Sequence, residues 1–125
     1  MSGWVFDSSA VLAFLRGERG GDRVAAALAG GSISTVNYCE VATKLVENGD
    51  DSPKESIAAL ALAVIPFDAE QAADAAALRP LTRHRGLSLG DRACLALARA
   101  QGRAVLTGDR NWEGLEVGVV IELIR

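Results

Sequence analysis

This chain is poor in the residues that usually announce a reaction. Its 125 residues include two cysteines, Cys39 and Cys94, and a single histidine, His84. These lie far apart and do not spell a zinc site. Both cysteines fall in patterns rich in Ala, Val and Leu, where a cysteine reads as a small buried hydrophobe. No apolar run reaches the length of a membrane span. The start, Met1-Ser2-Gly3-Trp4, lacks the basic region of a signal peptide, so a cytoplasmic protein is expected. A GxxxxGK[ST] phosphate loop, a GxGxxG turn after a strand and a GxSxG elbow are all missing. Repeats, low-complexity stretches and linkers are missing too. One domain spanning residues 1–125 is expected, and half of its residues are hydrophobic, enough for a packed core.

What is present is an alternation of short apolar runs with helical patterns. Strands are expected at Trp4-Val5-Phe6, Ser32-Ile33-Ser34, Val64-Ile65, Ala104-Val105-Leu106-Thr107 and within residues 117–123. Helices are expected over residues 9–16, from Asp22 to Gly30-Gly31, over 37–48, after Ser52-Pro53-Lys54-Glu55, after Asp68, and from Ser88 to Ala100. Residues 80–87 and 108–112 read as loops. Pro66 has no N–H for a ladder, so the strand before it belongs at an edge. Strands separated by helices imply an α/β fold with a parallel sheet and right-handed crossovers. Such sheets bind ligands outside the carboxyl ends of their strands, where the strand order reverses.

Four acids fall near those ends: Asp7, Glu40, Asp91 and Asp109. Asp7 directly follows the first strand, and Asp109 follows the fourth by two residues. Glu40 and Asp91 sit in the first turns of helices that begin at the same edge. Each has a structural excuse. Asp7 can cap the helix after it, Asn37 with Glu40 and Ser88 with Asp91 have capping-box spacing, and Asp109 lies in a Gly-Asp turn. Together they form a cluster that repels itself unless a divalent cation is bound, and hard oxygen donors suit Mg²⁺ or Mn²⁺. Such an ion polarises a phosphoryl oxygen and acidifies bound water, the needs of phosphodiester hydrolysis. Ser9, Thr107 and Asn111 flank the acids and either orient the ligands or satisfy local backbone groups.

The net charge of −3 argues against a nucleic-acid partner. The distribution softens that, because Arg79, Arg83, His84, Arg85 and Arg92 gather in one stretch and Arg110 follows Asp109. Arg83, Arg85, Arg92 and Arg110 are the candidates for holding a phosphate backbone. A solvated loop explains the 83–85 stretch equally well.

The segments Asp7-Ser8-Ser9-Ala10, Glu40 after the second strand, Ser88-Leu89-Gly90-Asp91-Arg92-Ala93 and Leu106-Thr107-Gly108-Asp109-Arg110-Asn111-Trp112 occur in this order across nearly the whole chain. In this the sequence resembles the PIN-domain ribonucleases, specifically the VapC-type toxins of bacterial type II toxin–antitoxin pairs. The resemblance implies a three-layer sandwich around a five-stranded parallel sheet of order 3-2-1-4-5. It implies Mg²⁺- or Mn²⁺-dependent endonucleolytic cleavage of RNA by Asp7, Glu40, Asp91 and Asp109. It also implies a homodimer and a cognate antitoxin protein that plugs the acidic pocket. The competing reading is a non-catalytic interaction module or receiver-like domain. Receiver domains place two adjacent acids near the first strand and a lysine after a later one. Here Ser8 follows Asp7, and no lysine follows Lys54. A phosphatase of the haloacid dehalogenase type wants an acid two residues after its nucleophile, where this chain has Ser9.

Overall fold

The computed structural model describes residues 3–125; the Met1-Ser2 start lies outside the described residues. Five strands form one parallel sheet in the order β3-β2-β1-β4-β5. They are β1 Val5–Phe6, β2 Ser32–Ser34, β3 Ala63–Ile65, β4 Val105–Thr107 and β5 Ile121–Leu123. The helices are α1 Ser8–Leu15, α2 Gly21–Ala25, α3 Thr35–Glu47, α4 Pro53–Ala58, α5 Ala69–Ala77, α6 Arg79–Thr82 and α7 Leu89–Gln101. Arg83–Arg85 and Arg110–Trp112 add single 3₁₀ turns.

The strands are short, and the three inner ones, β1, β2 and β4, are buried throughout, while the edge strands β3 and β5 are only partly covered. In β1 and β4, successive side chains point to opposite sides. Val5 and Val105 enter one core with Leu95, Leu87 and Trp112, while Phe6 and Leu106 enter the other with Val11, Ile33 and Val41. Helices α5 and α7 cover the first face, and α1, α3 and α4 the second. The result is a three-layer sandwich in which β1 and β4 are central. Val5 pairs with both Ser32 and Val105. From β1 the chain builds outward through β2 to β3, then crosses back to β4. The order therefore reverses between β1 and β4, and Asp7 and Asp109 leave the sheet there. Strand β3 lies at the edge ahead of Pro66, as expected, and Val64 is exposed.

Local chemistry moves several expected boundaries. Helix α2 is capped by Gly20, not Asp22, and stops at Ala25. Gly20 has φ +92°, and a Cβ there would meet the Ile124 carbonyl oxygen at 2.7 Å, so only glycine turns the chain at that point. Strand β2 runs straight into α3. Ser34 Oγ accepts from the Val36 N–H, which places Asn37 and Glu40 inside the helix rather than in a capping box. Pro53 opens α4 as expected, but Ser52 makes no side-chain cap bond; Asp50 accepts from the Ser52 N–H and the Ser56 hydroxyl. The presumed loop over 80–87 is mostly α6 and the 3₁₀ turn, because Pro80 fits a first helical turn and Gly86 ends it at φ +64°. Cys94 is buried as expected; Cys39 is exposed, because it lies on the solvent side of α3.

Candidate active site

Asp7 is held hardest. It is the N-cap of α1 and only 3 % exposed. Its Oδ1 accepts from the Ala10 N–H at 2.9 Å, and the Ser9 hydroxyl lies 2.8 Å from both carboxylate oxygens. The Thr107 hydroxyl donates to Oδ2 at 2.6 Å. Both hydroxyls also accept: Ser9 Oγ from the Gly108 N–H at 2.9 Å, Thr107 Oγ1 from the Asp109 N–H at 3.0 Å. The start of α1 and the end of β4 are thereby joined through one carboxylate. Burial pushes the Asp7 carboxyl up to about 6. The bonds from Thr107, Ala10 and Ser9 oppose that rise, and the nearby charge of Asp91 adds to it.

Asp91 does what a capping acid does. The Ser88 N–H donates to Asp91 Oδ2 at 2.9 Å, and the Asp91 N–H donates to Ser88 Oγ at 3.2 Å, closing a capping box on α7. Its carboxyl is nonetheless raised, first by burial, against the two Ser88 bonds, with Asp109 and Glu40 as further negative charges. The structural and the functional reading of Asp91 are thus compatible. Asp109 caps the 3₁₀ turn, its Oδ1 accepting from the Asn111 N–H at 2.9 Å. Glu40, from α3, lies against the first turn of α7. Asn37 Nδ2 donates to Glu40 Oε1 at 3.0 Å and to the Gly90 carbonyl at 3.0 Å.

One buried group lies within reach of three of these charges. Burial drives the Cys94 thiol well above its usual value, and the charges of Asp7, Asp91 and Glu40 add to the effect. Cys94, on α7, is fully buried and packs in the core as a small hydrophobe. None of the four acids has a salt-bridge partner among the described residues. Four oxygen-donor side chains at one sheet edge, two of them raised by burial and mutual charge, form a donor set that fits a hard divalent cation. As they stand, no three His, Cys, Asp or Glu side chains among the described residues close on one ion position. Asp91 and Asp109 are instead turned onto neighbouring backbone N–H groups.

The flanking residues divide. Ser9 and Thr107 bond Asp7 directly. The Asn111 side chain is turned away, donating to the Arg85 carbonyl oxygen. Among the arginines, Arg92 is half-buried and donates to the Ala75 carbonyl at 3.0 Å. Arg85 donates to the carbonyls of Asn111 at 2.7 Å and Glu113 at 3.0 Å. Arg110 donates to the Arg125 carbonyl at 2.9 Å and lies near Glu113. Arg92 thus ties α7 to α5, while Arg85 and Arg110 fasten chain segments outside the long helices. Arg83 is exposed, its guanidinium without a hydrogen-bond or ion-pair partner among the described residues, and His84 beside it is exposed too. Sequence reasoning missed Asn37, which looked like a helix cap, and Gly90. Their signal was the i,i+3 spacing of Asn37 and Glu40 and a glycine in a helical first turn.

An apolar groove of about 700 Å³ runs past Glu40, walled by Leu12, Val36, Cys39 and Phe67.

Solved structures share this architecture. One chain of a toxin–antitoxin complex from Klebsiella pneumoniae is 22 % identical, with a TM-score of 0.72 and 96 % of each chain covered. A chain of VapBC2 from Rickettsia felis, bound to a DNA fragment from their promoter, is 14 % identical with a TM-score of 0.72, covering 97 % of this chain and 98 % of its own. A chain of FitAcB from Neisseria gonorrhoeae is 21 % identical with a TM-score of 0.71, covering 97 % and 96 %. At these identities the likeness is one of fold. No curated protein sequence matches the chain. The family profile described as PIN domain matches residues 4–117, from the start of β1 to beyond Asp109, and so takes in all four acids. With that match spanning most of its length, the chain belongs to the PIN domain family.

Proposed function

We propose that this protein is a divalent-metal-dependent endoribonuclease, the toxin of a type II toxin–antitoxin pair. The observation that carries the reading is the set of four acids without cationic partners at the β1/β4 reversal of a PIN fold. PIN domains are nucleases as a class, and they generally use divalent metal ions. In this reading Asp7, Glu40, Asp91 and Asp109 hold Mg²⁺ or Mn²⁺. The ion supplies positive charge for the scissile phosphate and acidity for water. Ser9 and Thr107 keep the Asp7 carboxylate in one orientation, and the capping box keeps Asp91 at the mouth. Of the four candidate arginines, Arg83 is the one whose guanidinium is free among the described residues to meet an RNA phosphate. Arg85 and Arg110 act by shaping the segments they fasten, and Arg92 by tying α7 to α5.

The partner reading rests on two supports. Chains of this fold occur in toxin–antitoxin complexes, and the apolar groove beside Glu40 offers a seat for an apolar segment of a cognate antitoxin. No helix among the described residues is long and apolar enough to cross a membrane. A cytoplasmic homodimer completes the proposal.

The test is cleavage of total RNA by the purified chain. Mg²⁺ or Mn²⁺ should support cleavage, EDTA should stop it, and added metal should restore it. Alanine at any one of the four acids should abolish cleavage and growth arrest in cells. A wild-type chain that leaves RNA intact with both metals refutes the reading.

A further inference from the structure

We infer that Asn37 is the positioning residue for Glu40, clamping its carboxylate onto the first turn of α7; this rests on the nuclease reading above. Asn37 is 1 % exposed, and its amide nitrogen has two hydrogens. One goes to Glu40 Oε1 at 3.0 Å, the other to the Gly90 carbonyl at 3.0 Å. Both partners only accept, so chemistry dictates that the nitrogen, not the oxygen, faces them. The amide therefore bridges an acid of α3 and the backbone next to Asp91 of α7. It is a neutral double donor, so it fixes Glu40 without neutralising it as a lysine or arginine would.

Two observations argue that this arrangement serves the site rather than the fold. Asn37 Oδ1 is buried without a partner. An apolar side chain of similar size would leave no such orphan, so the fold alone gives no reason for an amide here. The second observation is Gly90. It lies in a helical first turn without a left-handed φ, so its backbone does not require glycine. A Cβ there would overlap the Glu40 carboxylate. Gly90 is a hollow that receives the carboxylate, and Asn37 is the latch that keeps it there. Without either, repulsion from Asp91 and hydration both draw Glu40 away from α7.

The full chain tests this as wild type, N37A, N37D, G90A and E40Q, with N37A and G90A also combined with E40Q. Mn²⁺ affinity is read by calorimetry, thermal stability in EDTA, and RNA cleavage with saturating Mn²⁺. Asn37→Asp sets a carboxylate against that of Glu40 with almost unchanged shape. Both Asn37 variants should weaken Mn²⁺ binding about tenfold or more. Gly90→Ala favours the helix, so its melting temperature should hold or rise while Mn²⁺ affinity falls by a similar factor. A structural role would not separate the two readouts that way. Because both residues act through Glu40, neither N37A nor G90A should weaken binding further in an E40Q background. Should an Asn37 variant fail to fold, G90A and its E40Q cycle decide. If wild type binds Mn²⁺ and cleaves RNA, yet N37A and G90A bind within twofold of it, the clamp is wrong and the nuclease reading stands. If wild type binds no Mn²⁺, both fall.

Discussion

Asp7 and Glu40 sit at one mouth but are built differently. Asp7 is enclosed, with Ser9, Thr107 and the Ala10 N–H all on its carboxylate. Two of those groups are themselves tied to the loop after β4. Glu40 is more open, and among the described residues the one hydrogen bond to its carboxylate comes from Asn37. The first acid is held redundantly, so its geometry survives small losses while its protonation is under strain. The second is held singly, so its geometry is vulnerable. A site assembled from both kinds of support should fail in different ways at its two ends.

The largest effect is expected from removing the enclosed charge itself. Asp7→Asn keeps the shape and should lower RNA cleavage more than about 100-fold, beyond the loss of an outer contact. Cleavage within tenfold of wild type would show that Asp7 is only a helix cap. Next comes the strain of burying it. The Asp7 carboxyl stands near 3.8 in the unfolded chain and about 6 in the folded one. The native state therefore holds more protons between those values, and stability falls as pH rises through that window. In EDTA, wild type should lose about 2 kcal/mol relative to Asp7→Asn between pH 4 and pH 7. Urea melts across that range would show it, and parallel curves for the two proteins would refute it.

A smaller effect should follow from thinning the redundant support. Thr107→Val removes one O–H bond to Asp7 and the acceptor of the Asp109 N–H. It should cost about 1–3 kcal/mol of stability. The lost bond favoured the ionised carboxyl, so the acidic limb of the cleavage profile should move to higher pH. An unmoved limb would mean that Asp7 titration does not govern it. The smallest effect belongs to the rim. Arg83→Ala should weaken RNA binding only a few-fold and make it less salt-dependent, as the loss of one phosphate contact does. An unchanged salt dependence would remove Arg83 from the RNA path.

The position of the four acids at one sheet edge was legible because it follows from connectivity. An acid after a parallel strand, or in the first turn of the next helix, emerges at the carboxyl edge whatever the packing. Pro66 marked the edge strand for an equally local reason, its missing N–H. The helix caps were read less well. Asn37 and Glu40 matched capping-box spacing, but Ser34 had already capped α3 because β2 enters the helix without a loop. The arginines were read as one basic rim from their proximity in sequence. Three of them instead donate to carbonyls of neighbouring segments, which only the packing of those segments provides.

Alternating apolar runs and helical periods determined the layered parallel sheet, and chain order determined which edge the acids reach. Those are consequences of backbone geometry and need no knowledge of distant contacts. The tertiary structure alone decided how Glu40 meets Gly90 across 50 residues, why Asn37 is an amide, and which arginines remain free. Such contacts join segments that are remote along the chain. Hydrogen bonds and repulsions between them exist only once the core has brought the helices together.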